Sequence, residues 1–338
     1  MKSLLLKPSD FENLIHKTDL DALIAEMEET PYRDELERAS IQYSGVTRIE
    51  VAVRKDLVAA FQKILHFMKE AGAEKYLKII LRRWDIHNIK TILRGKRIAA
   101  SPEEIFDCLI PAGELDEAAL TELTKQPDVK AVIDLLATWG IEYARPLTRK
   151  FKKYSENRDM AILEYALDKF FFENALSSVK GGKTEDDRII REFIFLEIDL
   201  TNIKTVLKVL RDKLDIGESE KFFIESSPIL DFNKYLSLLK TGTIEGAIKQ
   251  LQGTPYHFLS LVPEKFVAAG KISEFEKELD RFLIKKGISH FLKDPLSISI
   301  ALAYTWAKIN EAINIRVIAR GKSAYASEHE IRDVLIHV

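Results

Sequence analysis

Residues 85–93 of the chain read DIHNIKTIL, and residues 199–207 read DLTNIKTVL, the same pattern displaced by 114 positions. A third version, NIRVIARGK at residues 314–322, matches NIKTILRGK at residues 88–96 with a displacement of 226. In the first two versions apolar residues recur at i, i+3 and i+7, a spacing typical of one apolar face of an α-helix. The stretch therefore predicts a helix that the chain contains three times.

Other residues repeat in the same register. A glutamate precedes each motif asparagine by 38 residues, and the TPY tripeptide at residues 30–32 returns at residues 254–256, with a degenerate middle copy expected around Thr138. The repeat-invariant residues are Glu50, Glu164 and Glu276 with Asn88, Asn202 and Asn314. Recurrence at a fixed spacing indicates structural repeats. We therefore predict one compact pseudo-three-fold unit built from three helical repeats of about 113 residues. The predicted repeats are residues 1–113, 114–230 and 231–338.

Composition and local signals agree on an all-α fold. The chain has 14 glycines and 10 prolines, fewer than the many tight turns of an α/β fold would need. Each repeat should contain a long helical hairpin, with residues 162–175 on the first arm and the GGKT tip at residues 181–184 in the second copy. Residues 49–53 alternate like a strand, but their counterparts in the other copies favour helix. The SPEE sequence at residues 101–104 is typical of a helix N-terminus with a capping box.

Charge and hydropathy exclude several classes of protein. Lys and Arg total 51 and Asp and Glu total 53, a formal net charge of -2, whereas dedicated nucleic-acid binders carry a positive excess. No nucleic-acid partner is therefore expected. The single cysteine, Cys108, cannot form a disulfide within the chain. The three leucines within residues 1–7 are too few for a signal peptide, and no stretch is long and apolar enough to span a membrane, so we expect an intracellular protein.

Motifs for cofactors and metals are weak. The GGKT sequence invites comparison with a phosphate-binding loop, but that loop needs a further glycine where this chain has Ser177, and it should follow a strand. The seven histidines show no spacing typical of metal ligands. We therefore predict no cofactor, no metal and no catalytic residue.

Two sets of acidic residues recur with the motif. One acid lies three residues before each asparagine, and the repeated glutamate lies farther upstream. Paired carboxylates can serve acid–base catalysis, but an active site seldom needs three dispersed copies within one chain. An ion pair between packed helices, or a hydrogen bond to the asparagine side chain, is the favoured interpretation. The acids nearest the motif are Asp85, Asp199 and Glu311.

Cationic residues recur at i and i+4 on each predicted motif helix. Two interpretations stay open for them: a solvated flank that pairs with the repeated glutamates, or a three-fold basic lining that meets an acidic partner. Under the second, they are candidates for the interface with a central stalk or a rotor ring. These residues are Lys90, Arg94, Lys204, Lys208, Arg316 and Arg320.

The D-x-x-N-[IL]-K-T-x-L-R pattern, matched in full by residues 85–94 and in part by the other two copies, with the sequence from Glu103 and Glu104 through Pro111 and Gly113 to Leu115 after it, resembles the C subunit of the A-type/V-type ATPases. The eukaryotic relative in that family is the V-ATPase d subunit. The resemblance covers essentially the whole chain, and the three-fold register makes it specific.

The resemblance implies a funnel-shaped, all-helical protein with three similar units around a pseudo-three-fold axis. Such a protein sits on the proteolipid rotor ring, receives the lower end of the central stalk, and transmits torque for ATP-coupled proton or sodium transport. It has no active site of its own. It would be a peripheral protein at the cytoplasmic face of the cell membrane, held there by protein contacts.

Two other functions remain open. The chain could be a helical scaffold or adaptor protein of another complex, with partners unrelated to an ATPase. It could also be an enzyme that uses the recurring carboxylates. In that case Glu50→Gln would abolish turnover without loosening the fold, whereas a structural role predicts a lower melting temperature.

Overall fold

A computed structural model describes residues 5–225, 227, 229–294 and 296–337. The side chain of Glu218 lies outside this description. So do residues 1–4, which include one of the three leucines considered above as part of a signal peptide. Across the described residues the chain forms helices joined by turns, with no strand. The predicted all-α class is therefore confirmed.

The order of helices recurs three times along the described chain. The first series is α1 (Pro8–Ile15), α2 (Leu20–Met27), α3 (Arg33–Ala39), α4 (Gly45–Glu70), α5 (Glu74–Arg97) and α6 (Pro102–Asp107). The second is α7 (Glu117–Thr124), α8 (Val129–Thr138), α9 (Ala144–Asn157), α10 (Ala161–Ser178), α11 (Glu185–Asp212) and α12 (Ile216–Ser219), followed by the 3-10 helix Glu220–Phe222.

The third series replaces the third helix with a 3-10 helix. It comprises α13 (Phe232–Lys240), α14 (Ile244–Gln250), the 3-10 helix His257–Leu261, α15 (Glu264–Ala268), α16 (Ile272–Ser289), the 3-10 helix His290–Leu292, α17 (Ser299–Ser323) and α18 (Glu328–Val334). Each series thus contains two long helices in succession, and the second long helix carries the asparagine motif.

The chain divides into two compact units that do not follow these series. One unit runs to Phe151 and resumes at Gly287, and the other is Lys152–Lys286. The boundaries fall inside α9 and α16. The partition into repeats at 113/114 and 230/231 and the funnel shape stay predictions.

The strand-like stretch at residues 49–53 lies in α4, as predicted. Its alternation has a physical reason: Ile49, Val51, Ala52 and Val53 are all buried, because α4 packs against both α3 and α17. A helix covered on more than one side needs apolar residues beyond a single stripe, which weakens the period-3.6 signal.

The predicted helix ends agree with the structure. Ser101 caps α6 with a capping box, in which its side chain accepts the N–H of Glu104 and the Glu104 carboxylate accepts the N–H of Ser101. The GGKT sequence forms the turn between α10 and α11, with Gly181 at φ +76° and Thr184 as the N-cap of α11. The loop therefore follows a helix, and it lacks the strand that a phosphate-binding loop requires.

The three motif helices share a feature that the sequence does not announce. Each ends at a non-glycine residue in the left-handed region, eleven positions after its asparagine: Ala99, Lys213 and Tyr325, with φ of 54°, 51° and 54°. This conformation costs an L-residue about 1–2 kcal/mol. Its recurrence shows that the helices stop at one position whichever residue stands there.

Candidate functional site

Each motif asparagine holds a backbone segment 22 residues farther along the chain. The Asn88 side chain accepts the N–H of Ile110 at 2.8 Å and donates to its carbonyl at 2.7 Å. Asn202 makes the same pair of bonds with Ile224, and Asn314 makes them with Ile336, at 2.8–3.1 Å. An amide presents one acceptor and two donors, so a single side chain satisfies both backbone groups. We call this arrangement the asparagine clamp.

The acid three residues before each asparagine also binds inward. Asp85 accepts the N–H groups of Glu114 and Leu115, both at 2.9 Å. Burial raises the pKa of Asp85 to about 6, although these two N–H groups oppose the shift. The approach is close, because a Cβ on Gly113 would overlap the Asp85 carboxylate. The predicted hydrogen bond between this acid and the asparagine side chain is thus wrong at Asn88, where the amide is occupied by backbone.

The other two acids accept hydrogen bonds from tyrosine. Tyr256 donates to the Asp199 carboxylate at 2.5 Å, and Ser227 donates to the same oxygen at 2.8 Å. Tyr32 donates to Glu311 at 2.6 Å. Both tyrosines are buried, and each belongs to a TPY tripeptide whose threonine hydroxyl accepts the tyrosine N–H.

The middle copy of this tyrosine is Tyr143, and the expectation of a counterpart around Thr138 is wrong. Tyr143 lies 111 residues after Tyr32 and 113 before Tyr256. It is buried, and burial together with the negative charge of Asp85 raises the pKa of its hydroxyl above the ordinary value. The Thr138 hydroxyl instead donates to the carbonyl of Asp134 within α8. Spacing relative to the motif could have located Tyr143, although the TP dipeptide before it is lost.

A buried ionic cluster surrounds Glu311. Lys308 is 2% exposed, and its ammonium lies 2.6 Å from both Glu311 and Asp56 and 3.1 Å from the Tyr32 hydroxyl. Burial by itself would lower the pKa of Lys308, but the two carboxylates outweigh it and raise the pKa. The second Glu311 oxygen accepts the N–H of Leu6 at 2.5 Å, so this cluster also anchors the start of the described chain.

The recurring cations lie where the motif predicts, on the flank of each long helix. The first of each pair is partly buried and the second is exposed in all three copies. Arg320 donates to Glu50 at 2.5 Å, and Lys208 lies 2.8 Å from Glu276. Lys204 pairs with Asp280 at 2.7 Å.

The remaining members of these sets occupy equivalent positions. Arg316 lies 3.9 Å from Glu50, and burial lowers the pKa of its guanidinium. Lys90 and Arg94 lie on α5, and the partly buried Glu164 lies on α10. Cations of the motif helices therefore pair with the repeated glutamates Glu50 and Glu276. The role of the six cations at a stalk or ring interface stays a prediction.

The described part of the chain offers no metal site and no membrane-spanning helix. Within residues 5–225, 227, 229–294 and 296–337, no three His, Cys, Asp or Glu side chains are grouped to hold an ion. Over the same residues, no helix combines the length and the apolar character needed to cross a bilayer. The recurring acids Asp85, Asp199 and Glu311 are buried and engaged in hydrogen bonds.

Comparison with known proteins gives one consistent family. The family described as "ATP synthase (C/AC39) subunit" matches residues 1–334. The C subunit of the A-type ATP synthase of Methanocaldococcus jannaschii is 30% identical over 336 residues, which cover 98% of this chain and 82% of the relative. The protein of the same name from Methanococcoides burtonii is 30% identical over 99% of this chain and 91% of the relative. The chain therefore belongs to the ATP synthase (C/AC39) subunit family.

Proposed function

We propose that the chain is the non-catalytic connector of a rotary A/V-type ATPase. In this role it links the proteolipid rotor ring in the membrane to the central-stalk subunits. It transmits torque between them during ATP-coupled proton or sodium transport, and it works at the cytoplasmic face of the membrane. The observation that carries the proposal is the match of residues 1–334 to a family of ATP synthase subunits.

The internal bonding suits a part that carries mechanical load. Torque is transmitted without loss only through a stiff, well-packed body. In each copy the long motif helix is tied to a distant backbone segment by the asparagine clamp. Buried hydrogen bonds from tyrosine to acid add further ties at Tyr32 and Tyr256. Such satisfied polar networks favour one rigid arrangement over alternatives.

The same contacts disfavour catalysis by the recurring carboxylates. Glu50 and Glu276 form ion pairs with cations of neighbouring helices, and Asp85 is closed off by two backbone N–H groups. A general acid or base must reach a substrate proton. These acids are instead used to hold the protein together.

Capture from native membranes tests the proposal. The tagged full-length chain is expected to bring down both the proteolipid ring and the catalytic head after gentle solubilisation. Membranes lacking the chain should lose ATP-driven ion pumping, and adding the purified chain should restore it. ATP-driven pumping that persists without the chain, or capture of unrelated proteins alone, would refute the connector role and support a scaffold of another complex.

The six cations are proposed to line the surface that meets an acidic stalk or ring partner. Reversing Lys90, Lys204 and Arg316 together to glutamate should weaken stalk binding and change its salt dependence, because screening acts on exposed charges. These three cations are partly buried, and the reversal places glutamates beside Asp280 and Glu50, so the variant should also lose stability, and a melting curve measures that loss. Unchanged stalk binding at low salt would remove the assignment.

A matched control separates location from net charge. Lys55, Lys63 and Lys249 are exposed and have no ion-pair partner among the described residues. Their reversal to glutamate changes the total charge by the same amount. The control variant is expected to bind the stalk like the wild type.

A further inference from the structure

Helix α9, Ala144–Asn157, carries a strongly basic surface that the motif does not explain. Its sequence, ARPLTRKFKKYSEN, contains five cations and a single acid, Glu156. All five cations are exposed. We call these residues the α9 basic face. They are Arg145, Arg149, Lys150, Lys152 and Lys153.

The cations of the α9 basic face are unneutralised. None of the five has an ion-pair partner among the residues that the structure describes. They span about 160° of the helix circumference at 3.6 residues per turn. The apolar residues lie on the other side, where Ala144, Leu147 and Tyr154 are buried. The exposed Glu156 lies within the same arc, so the helix is held to the protein by one side and presents five positive charges against one negative charge on the other.

The basic face belongs to one copy only. The third helix of the first series, α3, has Arg33 and Arg38 paired with Glu29 and Glu35. The 3-10 helix His257–Leu261 of the third series has no lysine or arginine. The feature therefore does not follow from the three-fold architecture, and we look for its explanation in a partner that contacts this helix.

We propose that the α9 basic face binds the anionic headgroups of a phospholipid surface. Lysine supplies three of the five cations, and lysine is depleted in protein–protein interfaces. The face also lacks an exposed aromatic or apolar anchor of the kind that dominates binding energy between proteins. Dedicated nucleic-acid binders carry a positive excess over the whole chain, whereas this chain has a formal net charge of -2.

Charge spread over a wide helix face matches a flat polyanionic surface without demanding a fixed register. Polybasic segments bind anionic leaflets through many weak contacts. Such contacts slide over a fluid bilayer, so they are compatible with a chain that turns. The proposal concerns the isolated chain and does not depend on the connector role, so either can fail without the other.

Vesicle binding tests the proposal with the full chain. The probe is vesicles of phosphatidylcholine containing about 30% phosphatidylglycerol, compared with phosphatidylcholine alone. The wild type should bind the anionic vesicles at about 0.05 M salt and be released at about 0.5 M, where the Debye length has shortened several-fold. Arg149→Gln, Lys152→Gln and Lys153→Gln together should lower the partition coefficient roughly 100-fold.

A second triple variant controls for total charge. Lys55→Gln, Lys63→Gln and Lys249→Gln remove three equally exposed, unpaired cations elsewhere and should leave vesicle binding within about two-fold. Equal losses in the two variants would overturn the proposal. Failure of the wild type to bind anionic vesicles would also overturn the proposal. In that case, a lower recovery of protein partners with the α9 variant alone would identify an acidic protein as the occupant. Circular dichroism of both variants verifies that the helices remain.

Discussion

Replacing Asn202 with leucine should destabilise the protein by about 2–6 kcal/mol. Asn202 is fully buried, and its two hydrogen bonds satisfy the N–H and C=O of Ile224, a residue that is itself 2% exposed. Leucine has a similar size but cannot bond to either group. Each buried backbone group left without a partner costs about 1–3 kcal/mol, and two such groups give the stated range.

The three clamps should differ in a predictable order. Ile336 is buried like Ile224, whereas Ile110 is only partly buried. Water can therefore reach the backbone of Ile110 once the amide is gone, and Asn88→Leu should cost less than Asn202→Leu. This order follows from burial and not from sequence, because the asparagine stands at the same place in all three copies.

Chemical denaturation followed by circular dichroism measures the effect, with hydrogen exchange of the peptide containing Ile224 as a local readout. The exposed Asn233→Leu serves as the matched control and should stay within about 0.5 kcal/mol of the wild type. A value for Asn202→Leu within the same margin, with unchanged exchange at Ile224, would refute the clamp as a source of stability.

Three further perturbations test other contacts. Asp85 has a folded pKa of about 6 against an ordinary value of 3.8. Its contribution to the free energy of unfolding is therefore fully present below pH 4 and is lost as the pH rises through 6. Across this window the wild type should lose up to about 3 kcal/mol of unfolding free energy relative to Asp85→Asn. Tyr256→Phe removes a hydrogen bond to the Asp199 carboxylate and should cost about 1.5–3 kcal/mol by thermal denaturation. Gly95→Ala places a Cβ within 3 Å of the Ile105 side chain, so it should destabilise the protein by about 1–3 kcal/mol. Combining it with Ile105→Ala should cost less stability than the sum of the two single changes. Strict additivity of the two losses would contradict the contact.

The sequence was sufficient for the helices and for their recurrence, because these depend on local periodicity and on spacing. The capping box at Ser101 and the turn at residues 181–184 lie where local rules put them, and residues 49–53 are helical as their counterparts in the other copies indicated. The bonding of the motif was not predictable in the same way. The partner of Asn88 is a backbone segment 22 residues away, and no pattern in the side chains records which backbone groups will need a partner.

Recurrence in sequence also misleads about where function lies. The residues that repeat most faithfully, Asn88, Asn202 and Asn314, are buried and satisfied within the protein. Their recurrence among copies is explained by folding alone, since each copy must fasten the same long helix to the same following segment. A side chain that is buried and bonded in this way is not presented to a partner.

Differences among the copies are therefore the more informative guide to binding. The α9 basic face stands where the first copy has neutralised arginines and the third has a 3-10 helix, His257–Leu261, without a cation. The elements that stand in place of α9 in the other two copies are shorter, with seven and five residues, and neither carries this density of cations. Like charges along one helix repel each other and lower its stability by a few tenths of a kcal/mol per pair. The five charges of the α9 basic face oppose helix stability, face solvent and are absent from the corresponding elements of the other copies. We therefore attribute them to the binding of an anionic surface.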